Sequence, residues 1–226
     1  MVYAVILSGG IGTRVGGEIP KQYIEVNGSP IISDCICTFE KCDVIDKYVI
    51  VAAGDWEEYV NKYTGAKFIG FAAPGENRQL SIYNGLLTIQ NIASGDDIVI
   101  LHDAARPFVT IDTIEALVKA CDNSDGSMPA LPAKDTMYIQ ENGRVKALID
   151  RDSLIAGQAP EAFKFGKYLK ANKGLLPNRI QNIKGSTEPA FLAGMNVAVI
   201  AGDENNFKIT TKEDLERYID MKNGKG

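Results

Sequence analysis

Val2-Tyr3-Ala4-Val5-Ile6-Leu7-Ser8-Gly9-Gly10-Ile11-Gly12-Thr13-Arg14-Val15-Gly16-Gly17, with Pro20-Lys21-Gln22 close behind, is the stretch on which the reading of the fold turns. A short apolar run that breaks into glycines reads as a buried strand ending in a loop. Such a loop, at the carboxyl end of a strand, lets backbone N–H groups approach a phosphate chain. Arg14 and Lys21 add two cations, a sensible minimum beside the amides of Ser8, Gly9, Gly10 and Gly12 for cradling a triphosphate. Two common phosphate loops do not fit. A dinucleotide fingerprint would need glycine where Val15 stands, and a P-loop would need lysine where Glu18 follows Gly17.

Outward from this loop, strand-like runs alternate with helical spacing. Val2 to Leu7, Tyr48 to Ala53, Lys67 to Phe71, Ile98 to Leu101, Met128 to Leu131 and Val197 to Ile200 are short and rich in β-branched and aromatic residues. Ile31 to Phe39, Trp56 to Tyr63, Leu80 to Ile89 and Thr113 to Cys121 repeat apolar residues at helical intervals. This order predicts an α/β fold: a single-domain, Rossmann-like, three-layer, mostly parallel sheet with helices on both faces. Lys134 to Asp150 breaks the rhythm. It is polar and carries the turn signal Glu141-Asn142-Gly143, which predicts a protruding β-hairpin arm. An isolated hairpin is marginal in water, so a second copy of the chain is the simplest packing partner and a homodimer is expected. Thr211 to Met221 is a last helix that opens on Thr-x-x-Asp, a capping-box variant.

The 226 residues, 45% of them hydrophobic, suffice for one sizeable core, so one domain spanning 1–226 is expected. Its 24 Lys and Arg against 29 Asp and Glu give a net charge of −5, which argues against a general grip on nucleic acid or an anionic membrane. The apolar start lacks a basic leader and meets the glycine loop after about seven residues, too short for a signal peptide. No apolar run approaches the roughly 20 residues that span a bilayer, and a cytoplasmic protein is expected. The cysteines at 35, 37, 42 and 121 form no C-x-x-C pair and His102 is the only histidine, so a zinc site or a Ser-His-Asp mechanism has little support.

Gly9-Gly10-x-Gly12-x-Arg14 with Pro20-Lys21-Gln22 resembles the signature loop of the methylerythritol-phosphate and ribitol-phosphate cytidylyltransferases, which are GT-A-like nucleotidyltransferases. The match recurs in Gly75-Glu76-Asn77-Arg78-Gln79-x-Ser81, His102-Asp103-Ala104-Ala105-Arg106-Pro107, Lys134-Asp135-Thr136, Asp150-Arg151 and Asn206-Phe207-Lys208-Ile209-Thr210. The resemblance implies a Mg2+-dependent transfer of CMP from CTP to a small polyol phosphate, with release of pyrophosphate. Arg14, Lys21 and Lys208 would carry the charge of the reacting phosphates. Ser8, Gly9, Gly10, Gly12, Gly75, Glu76 and Ser81 would hold the nucleotide. Asp103, Ala104, Arg106, Thr136, Arg151 and Thr187 would meet the polyol phosphate, Thr136 and Arg151 from a neighbouring subunit, and Asp103 would be the metal ligand.

The chain departs from the family at the polyol end. Gln158-Ala159-Pro160-Glu161 stands where methylerythritol-phosphate members carry Gln-Thr-Pro-Gln, and Ser186-Thr187-Glu188-Pro189-Ala190 replaces their Thr-Asp-Glu-Ala. The expected acceptor is 2-C-methyl-D-erythritol 4-phosphate, with ribitol 5-phosphate or another cell-wall or capsule polyol phosphate as the alternative. From other classes, a NAD-dependent oxidoreductase and a non-catalytic nucleotide sensor remain to be tested.

Overall fold

The computed structural model describes residues 1–10 and 19–224. In chain order it forms β1 (Val2–Leu7), β2 (Glu25–Val26), β3 (Ser29–Pro30), α1 (Ile31–Lys41), β4 (Lys47–Val51), α2 (Gly54–Asn61), β5 (Phe68–Ala72), α3 (Arg78–Ile89), β6 (Ile98–Asp103) and α4 (Ile111–Ala120). There follow β7 (Gly126–Pro132), β8 (Met137–Glu141), β9 (Arg144–Ile149), β10 (Ile155–Gly157), β11 (Glu161–Lys164), α5 (Phe165–Lys173), α6 (Glu188–Leu192), β12 (Val197–Ala201) and α7 (Lys212–Lys222).

Alternation along β1 decides the layers. Ala4 and Ile6 face one side of the sheet with Ile32, Ile36 and Phe39 of α1 and Ile114 and Leu117 of α4. Tyr3 and Val5 face the other side with Ile82, Leu86 and Ile89 of α3 and Tyr168 of α5. Both faces are covered, as a sheet whose central strands are apolar throughout requires. A third cluster, Val26, Ile31, Ile209 and Tyr218, docks α7. That helix starts with the expected capping box between Thr211 and Asp214.

The eight-stranded sheet runs β10-β7-β11-β6-β1-β4-β5, with β12 beside β7. β1 pairs in parallel with β4 and β6, β4 with β5, and β7 with β12. Two short strands reverse direction: β11 is antiparallel to both β6 and β7, and β10 to β7. The fold is thus the α/β sheet expected, mostly parallel. The spacing of apolar residues gave no sign of β10, β11, α5 or α6. β11 has four residues with charged ends, Glu161 and Lys164, so it carries no apolar run to detect.

The arm is a separate two-stranded sheet of β8 and β9. Asn142 and Gly143 take φ of 51° and 77° at its turn, the positive values that a tight hairpin needs at both central residues.

Candidate active site

Parallel pairing sets Leu7 at the end of β1 level with Val51 of β4 and with Asp103 of β6. Gly9 and Gly10, the start of α3 and the acidic end of β6 therefore open on one cleft of about 470 Å³. Gly9, Gly10, Lys21, Glu76, Asp103 and Lys208 are on its wall. This is where open α/β sheets place ligands.

Two glycines are required by close approach. A side chain at Gly9 would put its Cβ 2.5 Å from Pro74 Cβ, and one at Gly75 would lie 2.3 Å from Leu80 Cβ and 2.7 Å from Leu80 C. Gln22, also on the cleft wall, holds the start of the loop. Its Nε2 donates to the carbonyls of Ser8 at 2.6 Å and Gly10 at 2.7 Å. Both carbonyls thereby have a partner. Ser8 has its N–H on Val51 O at 2.8 Å and its hydroxyl on Tyr23 Oη at 2.8 Å, so its side chain serves the loop. Asn77, and not Ser81, caps α3, accepting from Leu80 N at 2.8 Å. Ser81 Oγ accepts from Gly75 N at 3.0 Å and donates to Asn77 O at 2.9 Å.

Asp103 sits on the floor, 7% exposed, among cations. Arg78 Nε donates to its Oδ1 at 2.9 Å and Lys208 Nζ to its Oδ2 at 2.8 Å, while Arg106 Nε lies 4.0 Å from Oδ2. Burial alone would raise its pKa, but Arg78 and Lys208 prevail and hold the carboxyl well below the usual range. Lys208 is in an extended segment that belongs to no strand, and Ile209 N donates to Ala105 O at 2.9 Å to fix it there. His102 faces the core. Its Nε2–H reaches Arg106 O at 3.0 Å, and burial pushes its pKa down to about 4, so it is a neutral imidazole in the wall and no base for the cleft.

Behind Arg78 runs a second set of contacts. Arg78 Nη1 donates to Ser186 Oγ at 3.0 Å, Ser186 Oγ donates to Glu161, and Thr187 Oγ1 donates to the other Glu161 oxygen at 2.9 Å. Burial pushes the Glu161 carboxyl up from its ordinary value, against the pull of Arg78 and the two hydroxyls.

Lys21, Gly9, Gly10, Gly75, Glu76, Ser81, Asp103 and Lys208 thus converge on the cleft. Arg14 and Gly12 lie outside the described residues. Ala104 is fully buried with its N–H on Leu7 O, and Ala105 takes its place on the wall. Arg106 pins its loop, donating from Nη1 to Asn206 O at 2.6 Å. Thr136 and Arg151 lie at the base of the arm, both exposed, with Arg151 Nη1 on Lys134 O at 3.0 Å. Among the described residues no group of three His, Cys, Asp or Glu could hold a metal ion. The donor set fits an ion carried mainly by phosphate oxygens, to which Asp103 offers one carboxylate, and not an ion caged by protein.

Cations gathered with a glycine turn at the strand ends of an α/β sheet suit transfer between phosphates, the chemistry of nucleotidyltransferases. Residues 2–218 match the family model of IspD, 2-C-methyl-D-erythritol 4-phosphate cytidylyltransferase, and the chain belongs to that family of cytidylyltransferases. The 2-C-methyl-D-erythritol 4-phosphate cytidylyltransferase of Geobacter metallireducens is 33% identical over 95% of this chain and 94% of its own. A ribitol-5-phosphate cytidylyltransferase of Streptococcus agalactiae is 29% identical over 96% of this chain and 94% of its own. The crystal structure of the Francisella tularensis 2-C-methyl-D-erythritol 4-phosphate cytidylyltransferase superposes with a TM-score of 0.83 at 29% identity, covering 96% of this chain and 97% of that one.

Proposed function

We propose that the protein transfers CMP from CTP to 2-C-methyl-D-erythritol 4-phosphate and releases pyrophosphate. The observation that carries this reading is the convergence of Lys21, Arg78 and Lys208 with Gly9 and Gly10 on one cleft. A phosphate monoester has its second pKa near 6 and is largely dianionic at neutral pH, so it attacks without help from a base. Its oxygen bonds to the α-phosphorus of CTP as the bond to the bridging oxygen breaks, and the electron pair leaves with pyrophosphate.

What the chain supplies is alignment of two anions and neutralisation of their charge. Lys21, with Arg14, binds the triphosphate, and Lys208 binds the acceptor phosphate, shared with Asp103. Gly75, Glu76 and Ser81 hold the ribose and cytosine. Mg2+ adds positive charge on the triphosphate oxygens when bound. The arm carries Tyr138, Val145 and Leu148 more than half exposed, at 55%, 69% and 68%, which supports a homodimer in which Thr136 and Arg151 reach the partner's cleft. Among the described residues no helix is long and apolar enough to cross a membrane.

Steady-state pyrophosphate release tests the reading. CTP with 2-C-methyl-D-erythritol 4-phosphate should turn over, and Lys21→Ala and Lys208→Met should each lose about 100- to 1,000-fold in kcat, the usual cost of one such contact, with a far smaller change in KM for CTP. Near-normal kcat in both variants would refute the assignment. Ribitol 5-phosphate is the second reading, supported by the Streptococcus agalactiae relative and by the absence of Gln-Thr-Pro-Gln at 158–161. A preference for it over 2-C-methyl-D-erythritol 4-phosphate would replace the acceptor and leave the reaction.

A further inference from the structure

Glu161 is a buried acid, 8% exposed, for which the reaction as written has no use. The antiparallel course of β11 sets it opposite Leu101, two residues short of Asp103 on β6. Its two oxygens take the hydroxyls of Ser186 and Thr187, the latter at 2.9 Å. A hydroxyl has one proton and two acceptor lone pairs, and an ionised carboxylate can only accept. Where Glu161 is ionised, both hydroxyl protons therefore go to it. Met128 Sδ, 3.4 Å from Thr187 Oγ1, is a far weaker acceptor than the carboxylate. Outward, the two oxygens can only accept. Ser186 Oγ already does so from Arg78 Nη1 at 3.0 Å, and Arg78 in turn grips Asp103.

We propose that Glu161 is a positioning residue that fixes the hydrogen-bond polarity of the two hydroxyls behind Arg78: Ser186 is set to receive Arg78, and Thr187 to receive a hydroxyl of the polyol chain. The proposal rests on the cytidylyl-transfer reading above. It makes the enzyme select an acceptor for a hydroxyl donor at one carbon. A glutamine at 161 would put an amide N–H against one of the two hydroxyls, which would have to accept from it and turn its own proton outward.

The test compares 2-C-methyl-D-erythritol 4-phosphate with analogues that each lack one hydroxyl, in wild type, Glu161→Gln and Thr187→Val. In wild type, one deoxy analogue should fall about 10- to 100-fold in kcat/KM, the range of one hydrogen bond next to a charged group. Both variants should lose most of that preference through the KM for acceptor, with the KM for CTP unchanged. Combining them should add little, since they act on one contact. A Glu161→Gln enzyme that loses activity equally toward all acceptors would overturn the proposal. Turnover is not the only readout. In spectra of threonine-labelled wild-type protein the Thr187 hydroxyl proton should be protected from exchange with water, and its absence would overturn the proposal even in an active enzyme. A protected proton in a protein that releases no pyrophosphate with any acceptor would support the polarity and remove the reading of the reaction.

Discussion

Gln22 shows how a side chain with no chemistry of its own decides what a loop can bind. A glycine loop binds anions only while its carbonyls point elsewhere, and one amide holds two of them, on Ser8 and Gly10. Gln22→Leu keeps the bulk but leaves both without their partner, so a loss of about 1–3 kcal/mol is expected in urea unfolding, together with weaker CTP binding by calorimetry. Unchanged CTP affinity would mean that the carbonyls need no holding. Glu161 makes a prediction of opposite kind. Burial raises its pKa above the unfolded value, opposed by Arg78, Ser186 and Thr187 and aided by Asp103. Its contribution to stability is therefore complete below the ordinary glutamate range and is lost as pH rises through the raised folded value. Urea midpoints in wild type should carry this downward component with rising pH, and Glu161→Gln should lack it. A component of equal size in the variant would place it on another group. Of the residues involved, Lys21, Asp103 and Lys208 are legible in the sequence from their motifs, whereas no pattern in the sequence gives Arg78, Glu161, Ser186 or Gln22 its role. A residue that works by holding another leaves no pattern of its own.

Elements divide the same way. β1, β4, β6, α1, α3 and α4 announce themselves because their apolar spacing is the spacing of the contacts they make. β11 does not. It is four residues between β6 and β7, and its neighbours supply the burial that its sequence does not advertise. The arm was legible for a different reason: Asn142-Gly143 specifies the turn locally, and among the described residues β8 and β9 pair only with each other. Among the described residues it adds nothing to the three core clusters, and its exposed Val145 and Leu148 are where the proposed dimer would pack. Val145→Asp with Leu148→Asp should leave the fold by circular dichroism unchanged and turn a dimer into a monomer by sedimentation. Activity should fall with it if Thr136 and Arg151 serve the partner's cleft. A variant that remains dimeric would move the interface elsewhere.

For the molecule as a whole, the cleft lies at the end of the sheet, and a ligand there would touch the sheet end, Gly9, Gly10 and α3 together. CTP at a hundred times its dissociation constant should stabilise the fold by about 2.7 kcal/mol, a rise in melting temperature of roughly 5 to 10 °C for a chain of this size. NADH should give none, and the reverse pattern would restore the oxidoreductase reading. The sequence by itself determined the layered α/β class, the end of the sheet at which its motifs gather, and the cations near it, because strand periodicity, glycine punctuation and a run of motifs are properties of neighbours along the chain. Only the tertiary structure decided that a reversed strand enters beside β6, that Arg78 and Lys208 close on Asp103 from residues 25 and 105 positions away, and that Glu161 stands behind them. Those contacts depend on strand order and direction, which are settled by how whole faces pack and not by any segment alone.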